Sequence, residues 1–446
     1  MPDRQQRSVP VPTGWAALVV IAAGLPLAVI RPDSWLVLLA VVTVLIVLFV
    51  ADAVAAPSPN ELDVSRRIPA SMTLGERATI DWVVRNRSDR TIRATVADSV
   101  WPSLSASRRS SSFVLPGRRQ HRFNASFEPQ RRGRFPFGAV TVRTVGPLRL
   151  MWRQQTRDIA DSLAVLPAHP SRDELRSRLR IPLETGVRSV RTRGTGTDFD
   201  QLREYRPGDD IRRVDWAATA RQQRAIVRDY RAERHQHVVA LLDNGRVMSG
   251  SVAGVPRVEH AMDAVLGLVT VAQNVGDNVG LVTFDNQVRA IVPPSHSRSQ
   301  FGRCAEAMYL LDQGYDQSAY RAAFAIAASR FRRRSLFVVF TDLVETVVHD
   351  ELLPALSTLT RRHLVLVAAV RDPDVSSWAS LEYSAQGRVD RTDAYRAAAA
   401  TASLDARERT VAALTRAGAI VVDAEPGRLA AAVADRYLEL KASGQL

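Results

Sequence analysis

Five aspartates stand at or just past the end of apolar runs that have the composition of buried β-strands. They are Asp243, Asp285, Asp342, Asp372 and Asp423. In open α/β sheets the functional crevice lies outside the carboxyl ends of the strands, so we expect these carboxylates to meet at one edge. There they could hold a hard cation or transfer protons. Aspartate is also a good helix cap, which is the preferred interpretation for any single one of the five, whereas both interpretations stay open for Asp243 and Asp342.

The elements that must position these carboxylates are strands that alternate with helices over residues 234–446. Near-continuous apolar runs, typical of parallel strands buried on both faces, cover residues 238–242, 279–284, 336–340, 364–370 and 419–422. Helical spacing of apolar residues covers 258–273, 319–331, 351–359, 392–415 and 428–440. The alternation predicts a doubly wound α/β domain of the Rossmann type.

Residues 57–167 carry a different pattern. Apolar and polar residues alternate with a period of two, as at Ile80, Trp82 and Val84, and turn-forming residues separate the alternating segments. Half-buried antiparallel strands show this alternation, so we predict an all-β, sandwich-like domain. Residues 168–233 then form a charged connector between the two domains.

Two uncharged apolar stretches near the N-terminus, residues 14–30 and 35–51, predict two transmembrane helices that form a hairpin within residues 1–56. A cleaved signal peptide is the alternative, and the second stretch argues against it. The outer ends of the pair are flanked by Arg4, Arg7, Arg66 and Arg67. Only Arg31 lies in the turn, so the positive-inside rule favours cytoplasmic ends. We therefore predict a multi-pass protein of the cell (plasma) membrane, with two spans in the lipid bilayer and soluble domains in the cytoplasm.

Composition excludes several classes of function. The net charge of +14 comes almost entirely from arginine, and these arginines are spread along the chain among acidic residues. No basic stripe with interleaved aromatic residues appears, so we expect no nucleic-acid binding. Lys441 in the tail is the one lysine, which excludes a P-loop, and we expect no nucleotide bound by this chain. The single cysteine, Cys304, excludes an internal disulfide.

Residues 194–221 read GTGTDFDQLREYRPGDDIRRVDWAATAR and place arginines among carboxylates. An arginine can donate two hydrogen bonds to one carboxylate. The economical interpretation is a structural clasp that pins the connector to the α/β domain, and the alternative is a docking surface for a partner. The residues that would form either are Arg203, Tyr205, Asp209, Asp210, Arg212, Asp215, Trp216 and Arg221. Gly194-x-Gly196 is too short for a dinucleotide fingerprint.

This run, followed by VVALLD at residues 238–243, resembles the signature of the domain-of-unknown-function 58 family of bacterial proteins. The matching positions are Gly196, Phe199, Leu202, Arg203, Tyr205, Pro207, Gly208, Asp209, Arg212, Asp215, Trp216 and Arg221. That family is similar to von Willebrand factor A domains and is often encoded beside a MoxR-type AAA+ ATPase. The resemblance implies a von Willebrand factor A-like domain, an adaptor role and a partner of that ATPase type.

In a von Willebrand factor A domain the first strand ends in Asp-x-Ser-x-Ser, whose oxygens help to hold a divalent cation. Here the corresponding segment runs from Asp243 to Val247, and Gly245 and Val247 stand where the serines are expected. Asp342 matches the later aspartate, and Ser249 could supply an oxygen only from a shifted loop. We therefore expect a degenerate metal site and no cofactor, with a divalent cation such as Mg²⁺ as the alternative.

No second set of metal ligands and no nucleophile motif accompanies these aspartates. The sequence therefore predicts a non-enzymatic, membrane-anchored scaffold or adaptor that presents its α/β domain to a protein partner. One alternative is a metal-dependent enzyme, such as a hydrolase, that uses the strand-end carboxylates. Another is a module that binds components of the cell envelope.

Overall fold

The structure is a computed structural model that describes residues 8–30, 35–177, 198–206, 211, 214–231, 235–312, 314–380 and 391–446. The chain forms two compact units, of which the first ends at Leu166 and the second begins at Pro167.

The first unit contains a β-rich domain with two sheets. Its strands are β1 (Val9–Pro12), β2 (Leu62–Arg67), β3 (Ser71–Thr73), β4 (Ala78–Asn86), β5 (Ile92–Asp98), β6 (Ser110–Leu115), β7 (Gln120–Phe127), β8 (Gly133–Val145) and β9 (Met151–Leu166). One sheet has the order β1-β9-β8-β5-β6 with β3 also on β9, and the other has the order β2-β4-β7. The predicted inward residues Ile80, Trp82 and Val84 are all buried. The period-two alternation thus correctly identified the side of β4 that faces the core.

A buried arginine links the two sheets. Arg66 on β2 donates from Nη1 to both carboxylate oxygens of Asp98 on β5, at 2.8 and 2.9 Å, and from Nε to Asp161 on β9 at 3.0 Å. Trp82 adds an indole N–H to Asp98 at 2.8 Å. We expected Arg66 to be a free charge beside the membrane, but its guanidinium group is enclosed in the protein. Breaking such a pair would leave an uncompensated buried charge.

Two apolar helices, α1 (Gly14–Ile30) and α2 (Trp35–Ala55), lie between β1 and β2 in the chain. Among the described residues, α2 is the one helix long and apolar enough to cross a membrane, and the apolar stretch of α1 that is described, Gly14–Ala23, is shorter. Large side chains of α2 such as Leu36 and Val47 are about 60% exposed, so their apolar surface has no protein partner in this part of the structure.

Both outer ends of this helix pair are fastened to the β-rich domain. Before α1, strand β1 pairs antiparallel with β9, from Val9 opposite Gln154 to Pro12 opposite Met151. Near the end of α2, the buried carboxylate of Asp52 accepts three backbone N–H bonds from the turn that leads into β9. The donors are Leu148 at 2.7 Å and Leu150 and Met151 at 2.8 Å. The domain therefore holds both ends of the pair on one side.

The second unit is built on one mixed sheet. Its strands are β12 (His237–Asp243), β15 (Asn278–Phe284), β16 (Val288–Ser295), β17 (Ser335–Phe340), β18 (Leu364–Val370) and β19 (Ala419–Ala424). The order is β16-β15-β12-β17-β18-β19, and all neighbours are parallel except β16 on β15. Two short pairs lie outside it, β10 (Asp198–Glu204) with β11 (Ile226–Arg231) and β13 (Ser251–Val252) with β14 (Val255–Pro256). Every apolar run predicted to be a strand is a strand of this sheet.

Helices cover both faces of the sheet. The helices of this unit are α3 (Trp216–Gln222), which lies in the connector beside β11, and α4 (Arg257–Asn274), α5 (Gln300–Tyr309), α6 (Tyr320–Arg330), α7 (Glu345–Val347), α8 (Leu353–Thr360), α9 (Pro373–Ala379), α10 (Arg391–Arg416) and α11 (Leu429–Ala442). One core cluster joins Val239 and Leu241 of β12 to α6 and α8. On the other face, α4 contacts β12 and α11 contacts β19. The prediction of α/β content is confirmed.

Strand β16 of the main sheet and helices α5 and α9 are among the elements that were not predicted from the sequence. Strand β16 contains Pro293 and Pro294, which is tolerated because β16 is an edge strand. The helix expected at 351–359 is α8, which begins at Leu353 after a π-helical turn, Val348–Leu352.

Replacing Asp52 with alanine should destabilise the β-rich domain by about 2 kcal/mol, because one buried and two partly buried N–H groups lose their acceptor. Pulse proteolysis of the detergent-solubilised full chain across a urea series would measure the shift in midpoint. Asp63→Ala is the matched control, since Asp63 forms an exposed ion pair with Arg87 and should have little effect. Equal midpoints for the two variants would show that the Asp52 contacts are not stabilising.

Candidate functional site

The carboxylate of Asp243, the last residue of β12, is completely buried and has four protein donors. Its Oδ1 accepts the backbone N–H of Gly245 at 2.8 Å and the hydroxyl of Ser318 at 2.5 Å. Its Oδ2 accepts the hydroxyls of Tyr320 at 2.6 Å and Thr341 at 2.7 Å. Each carboxylate oxygen therefore already has two donors from the protein.

These donors come from separate elements that meet at the carboxyl edge of the sheet. Tyr320 opens α6, Thr341 follows β17, and their two hydroxyl oxygens are 2.8 Å apart. Burial raises the pKa of Asp243, and the four hydrogen bonds oppose that rise. Burial and the neighbouring Asp243 carboxylate raise the pKa of the Tyr320 phenol, so this phenol stays a donor.

Glycine at position 245 is required by a close approach. A Cβ atom there would lie 2.0 Å from the hydroxyl oxygen of Ser318 and 3.0 Å from the carbonyl oxygen of Asp316. Ser249, considered above as an oxygen ligand, instead donates its hydroxyl to the carbonyl of Arg246 at 2.7 Å.

Arginines engage the carboxylates of Asp342 and Asp423. Arg407 on α10 donates from Nη1 to Asp342 at 3.0 Å and makes two bonds of 2.9 Å to the two oxygens of Asp423. Arg257, at the start of α4, places its Nε 3.2 Å from the other oxygen of Asp342. Burial lowers the pKa of Arg407, but the hydrogen bonds to Asp423 and Asp342 and the attraction of both carboxylates outweigh it and hold this pKa above its ordinary value.

The two remaining aspartates of the sequence pattern have local roles. Asp285 accepts from Arg289 at 2.6 Å and from the backbone N–H of Gln287. Asp372 caps α9 by accepting the N–H of Asp374 at 3.0 Å. For Asp372 the helix-cap interpretation is therefore confirmed. The five carboxylates do not form one cluster, because Asp342 and Asp423 share an arginine while Asp243 is enclosed by hydroxyl groups.

The residues present do not fit a divalent cation of the von Willebrand factor A type. The oxygens of Asp243 are turned toward hydroxyl and amide donors, and the oxygens of Asp342 face two guanidinium groups. A cation placed beside Asp342 would be repelled by Arg257 and Arg407. No group of three or more His, Cys, Asp or Glu suited to a metal ion occurs within the described residues.

The signature segment pairs its strand β10 with β11, which follows it in the chain, and makes local contacts. Asp215 caps α3 by accepting the N–H groups of Ala217 and Ala218, both at 3.0 Å. Arg221 bonds back to the carbonyl of Ala217, and the N–H of Tyr205 bonds to the carbonyl of Ala225. Trp216 is 68% exposed. Asp209, Asp210, Arg212 and the side chain of Arg203 lie outside the described residues, so the clasp stays a prediction.

A contact that fastens the connector to the α/β domain occurs earlier in the chain. Asp263 of α4 accepts from the Ser171 hydroxyl at 2.8 Å and lies 2.7 Å from Nδ1 of His169. Leu175 is buried, and a Cβ on Gly267 of α4 would lie 2.8 Å from its Cδ1 atom. No pattern in the sequence predicted this contact beyond the charged character of the connector.

We call the carboxyl edge of the main sheet, where its parallel strands end, the strand-end edge. Several residues at this edge were not predicted from the sequence: Ser318, Tyr320, Arg257 and Arg407. Their partners are far away in the chain, as with Arg407 and Asp342, which are 65 residues apart. Apolar periodicity placed the helices that carry these residues but could not show which polar side chain turns toward the edge.

Asp243→Asn should remove a pH dependence of stability. Because the folded pKa of Asp243 is raised, its contribution to stability is fully present below the unfolded value of about 4 and is lost as pH rises through the folded pKa. The advantage of wild type over the variant should therefore fall by up to about 1.4 kcal/mol per pH unit in that window. Urea titrations read by pulse proteolysis of the α/β domain would measure it.

Ser249→Ala, which removes no titratable group, should keep the wild-type pH profile. Parallel wild-type and Asp243→Asn profiles from pH 4 to pH 8 (roughly the window in which a raised carboxyl titrates) would contradict the assignment.

Magnesium or manganese at about 1 mM should leave the thermal stability of the α/β domain unchanged relative to EDTA. A site with micromolar affinity would instead stabilise it by about 4 kcal/mol. Differential scanning calorimetry makes the comparison. A stabilisation that disappears in Asp243→Ala would show that a cation does bind here.

Comparison with known proteins gives a match to one family over part of the chain. Residues 201–417, a little under half of the chain, match the profile of the family described as "Protein of unknown function DUF58". Uncharacterized proteins of Mycobacterium bovis and Mycobacterium tuberculosis are 26% identical over 182 residues, which is 40% of this chain and 56% of those relatives. The chain thus matches only about half the length of these curated relatives.

Two solved structures are also similar over part of the chain. The conserved hypothetical protein BatB from Bacteroides thetaiotaomicron is 16% identical, with a TM-score of 0.30, and the match covers 46% of this chain and 98% of that one. An aerotolerance-related membrane protein from Bacteroides fragilis, with multiple mutations to serines, is 17% identical, with a TM-score of 0.29 and the same coverage. The family match covers residues 201–221 of the signature segment and most of the α/β domain, so this part of the chain is similar to the DUF58 family.

Proposed function

We propose that this protein is a non-enzymatic, membrane-anchored adaptor that presents the strand-end edge of a von Willebrand factor A-like domain to a protein partner. One observation carries the proposal: the carboxylates that could have acted as bases or metal ligands form hydrogen bonds and ion pairs within the protein. Asp243 has four donors, and Asp342 and Asp423 share Arg407. A carboxylate in this state is neither an available base nor an open metal ligand.

The single thiol offers no alternative chemistry. Cys304 lies inside α5 and is completely buried, and burial raises its pKa to about 12. A thiol in this environment stays protonated and is inert, because the thiolate is the nucleophile. This supports a role in recognition.

The attachment of the helix pair supports a two-span membrane anchor. Because strand β1 and Asp52 hold both outer ends on the same β-rich domain, a hairpin that crosses and returns is compatible with the fold. The apolar side chains of α2 are exposed, as lipid contact requires. The arginine distribution favours the cytoplasm for the soluble domains, although buried Arg66 does not contribute a free charge there.

A docking role for the signature segment is favoured by its exposed apolar side chains. Leu202, Ile211 and Trp216 are 42%, 66% and 68% exposed. Exposed aromatic and aliphatic residues on a globular domain often mark interaction sites. The partner type that the family resemblance implies is a MoxR-type AAA+ ATPase.

Two other functions are the alternatives to an adaptor. A metal-dependent enzyme would need Asp243 and Asp342 to exchange their present partners for a cation. A module that binds components of the cell envelope would need the soluble domains on the outer side of the membrane, opposite to the arginine bias.

Site-specific photo-crosslinking in native membranes, followed by mass spectrometry, tests partner and topology together. A photoreactive residue at Val344, which is exposed at the strand-end edge, should capture an AAA+ ATPase in the presence of nucleotide. The matched control position is Arg333, exposed at the opposite edge beside the start of β17, where capture should be absent.

Crosslinks only to envelope proteins would support the envelope module and an outer location. Repeated recovery of no ATPase from either position, or equal capture from both, would overturn the adaptor proposal.

A further inference from the structure

The turn between strands β8 and β9 contacts the outer ends of both apolar helices. We call it the helix-end turn, and it consists of Gly146, Pro147, Leu148 and Arg149. Asp52, near the end of α2, accepts the N–H of Leu148 at 2.7 Å. Thr13, just before α1, donates its hydroxyl to the carbonyl of Arg149 at 2.7 Å. The position of the turn relative to the helix ends is therefore fixed.

Where α2 crosses a bilayer, its length fixes the depth of this turn. The 21 residues of α2 are about 32 Å long at 1.5 Å per residue, and the hydrocarbon core of a bilayer is about 30 Å thick. Asp52, which holds the turn, lies within one helical turn of the end of α2 at Ala55. The helix-end turn therefore lies where the hydrocarbon core gives way to the headgroups.

The tip of the turn exposes apolar surface at this depth. Leu148 is 54% exposed although its backbone N–H is bound to Asp52. On the neighbouring helix ends, Val54 of α2 is 77% exposed and Trp15 of α1 is 64% exposed. An indole and aliphatic side chains at one level suit the boundary of a bilayer, where tryptophan is enriched. Lipid is therefore the occupant that matches this surface.

The charge at this end of the β-rich domain is positive. Three segments meet here, residues 8–15, 50–57 and 143–154. Their charged residues are Arg143, Arg149, Arg153 and Asp52. Asp52 is 1% exposed and is enclosed by N–H groups of the turn, so its charge does not face the surface. The surface is therefore complementary to the anionic headgroups of a membrane.

Arg149 is the arginine best placed to bind a headgroup. Arg153 donates to the carbonyl of Ala56 at 3.3 Å and to the hydroxyl of Ser8 at 3.1 Å, and Arg143 donates to a neighbouring glutamine at 2.7 Å. Arg149 is exposed, and its guanidinium group forms no hydrogen bond or ion pair with any residue that the structure describes. Its donors are therefore available to a ligand.

The backbone of Arg149 adds a second observation. Its φ of 61° lies in the left-handed region, which glycine adopts without strain. Arg118, at another turn, has a φ of 57°, and its guanidinium group pairs with Asp89 at 2.8 Å. Arg149 has no such partner within the described part of the chain. Strained residues often mark ligand contacts, and a headgroup phosphate would supply the missing partner.

We infer that the helix-end turn is a lipid-contact element, in which Leu148 lies among the upper acyl chains and Arg149 binds the phosphate of an anionic phospholipid. A guanidinium group suits this role because it donates paired hydrogen bonds to phosphate oxygens. The inference rests on the proposed membrane anchor. It goes beyond the anchor because the contact would hold the β-rich domain in one orientation against the bilayer.

The first test measures the depth of Leu148 with the full chain in lipid nanodiscs. A fluorophore attached to Leu148→Cys should be quenched by a lipid that carries its quencher near the headgroup. The wild-type chain is the labelling blank, because Cys304 is completely buried. Gln130→Cys is the matched control and should not be quenched. Gln130 is exposed just before the opposite end of β8, a strand of 13 residues, and so lies roughly 40 Å away at 3.3 Å per residue.

The second test asks whether anionic lipid collects at the turn. Quenching at position 148 should be stronger when phosphatidylglycerol carries the quencher than when phosphatidylcholine does. Arg149→Gln should lower this preference about fivefold, which is the effect of one charge at a membrane surface. Arg134→Gln is the matched control, because it removes the same charge from an exposed position near the far end of β8.

Arg149→Gly separates lipid binding from a role in folding. It should lower the preference for phosphatidylglycerol as much as Arg149→Gln does. Because glycine relieves the left-handed strain, resistance to proteolysis in urea should not fall. A loss of this resistance equal to that of Asp52→Ala would show that the Arg149 side chain serves the fold, which would overturn the inference.

Quenching at position 148 no stronger than at position 130 would overturn the inference, as would an unchanged lipid preference in Arg149→Gln. Loss of the preference on adding inorganic phosphate equimolar to the lipid would overturn it in favour of a free-anion site. Shielding of position 148 in native membranes but not in nanodiscs would overturn it in favour of a protein partner.

A label at Val44→Cys, near the middle of α2, reports the anchor independently of the turn, because Val44 is 58% exposed. If a quencher in the acyl chains reaches position 44 while position 148 stays in water, this inference alone fails. Labels in water at both positions would overturn the membrane anchor together with the inference.

Discussion

The carboxyl edge of the sheet depends on one buried carboxylate. Ionised or neutral, Asp243 can lie inside the protein only while hydrogen bonds replace the water it has lost. Those bonds come from residues 245, 318, 320 and 341, so a single side chain joins the end of β12 to the start of α6 and the end of β17. The edge is therefore a closed hydrogen-bonded structure, and its parts are positioned before any partner arrives.

The same principle governs the neighbouring charges. Arg407 compensates Asp342 and Asp423 inside the domain, as Arg66 compensates Asp98 and Asp161 inside the β-rich domain. In both places the protein encloses its charges in fixed pairs, which are rigid and poorly suited to proton transfer. A surface built in this way can recognise the shape and charge of another molecule without transforming it.

Repeating patterns in the sequence predicted the strands and helices well. Contacts that depend on single side chains could not be predicted from it. Apolar runs located all five parallel strands, because strands covered on both faces exclude polar residues. Strand β16 was not predicted, and it contains two prolines, which a central strand excludes but an edge strand tolerates. The donors of Asp243 could not be foreseen: Ser318 and Tyr320 lie 75 and 77 residues further along the chain, and only the folded sheet brings them to it.

The contact between Gly245 and Ser318 also constrains how such a domain can change over generations. A serine at position 245 would place its Cβ atom 2.0 Å from the Ser318 hydroxyl, while loss of that hydroxyl alone would remove a donor from Asp243. Either substitution alone should therefore destabilise this edge of the sheet. The two positions are coupled, so a lineage with this arrangement can change one of them only together with the other.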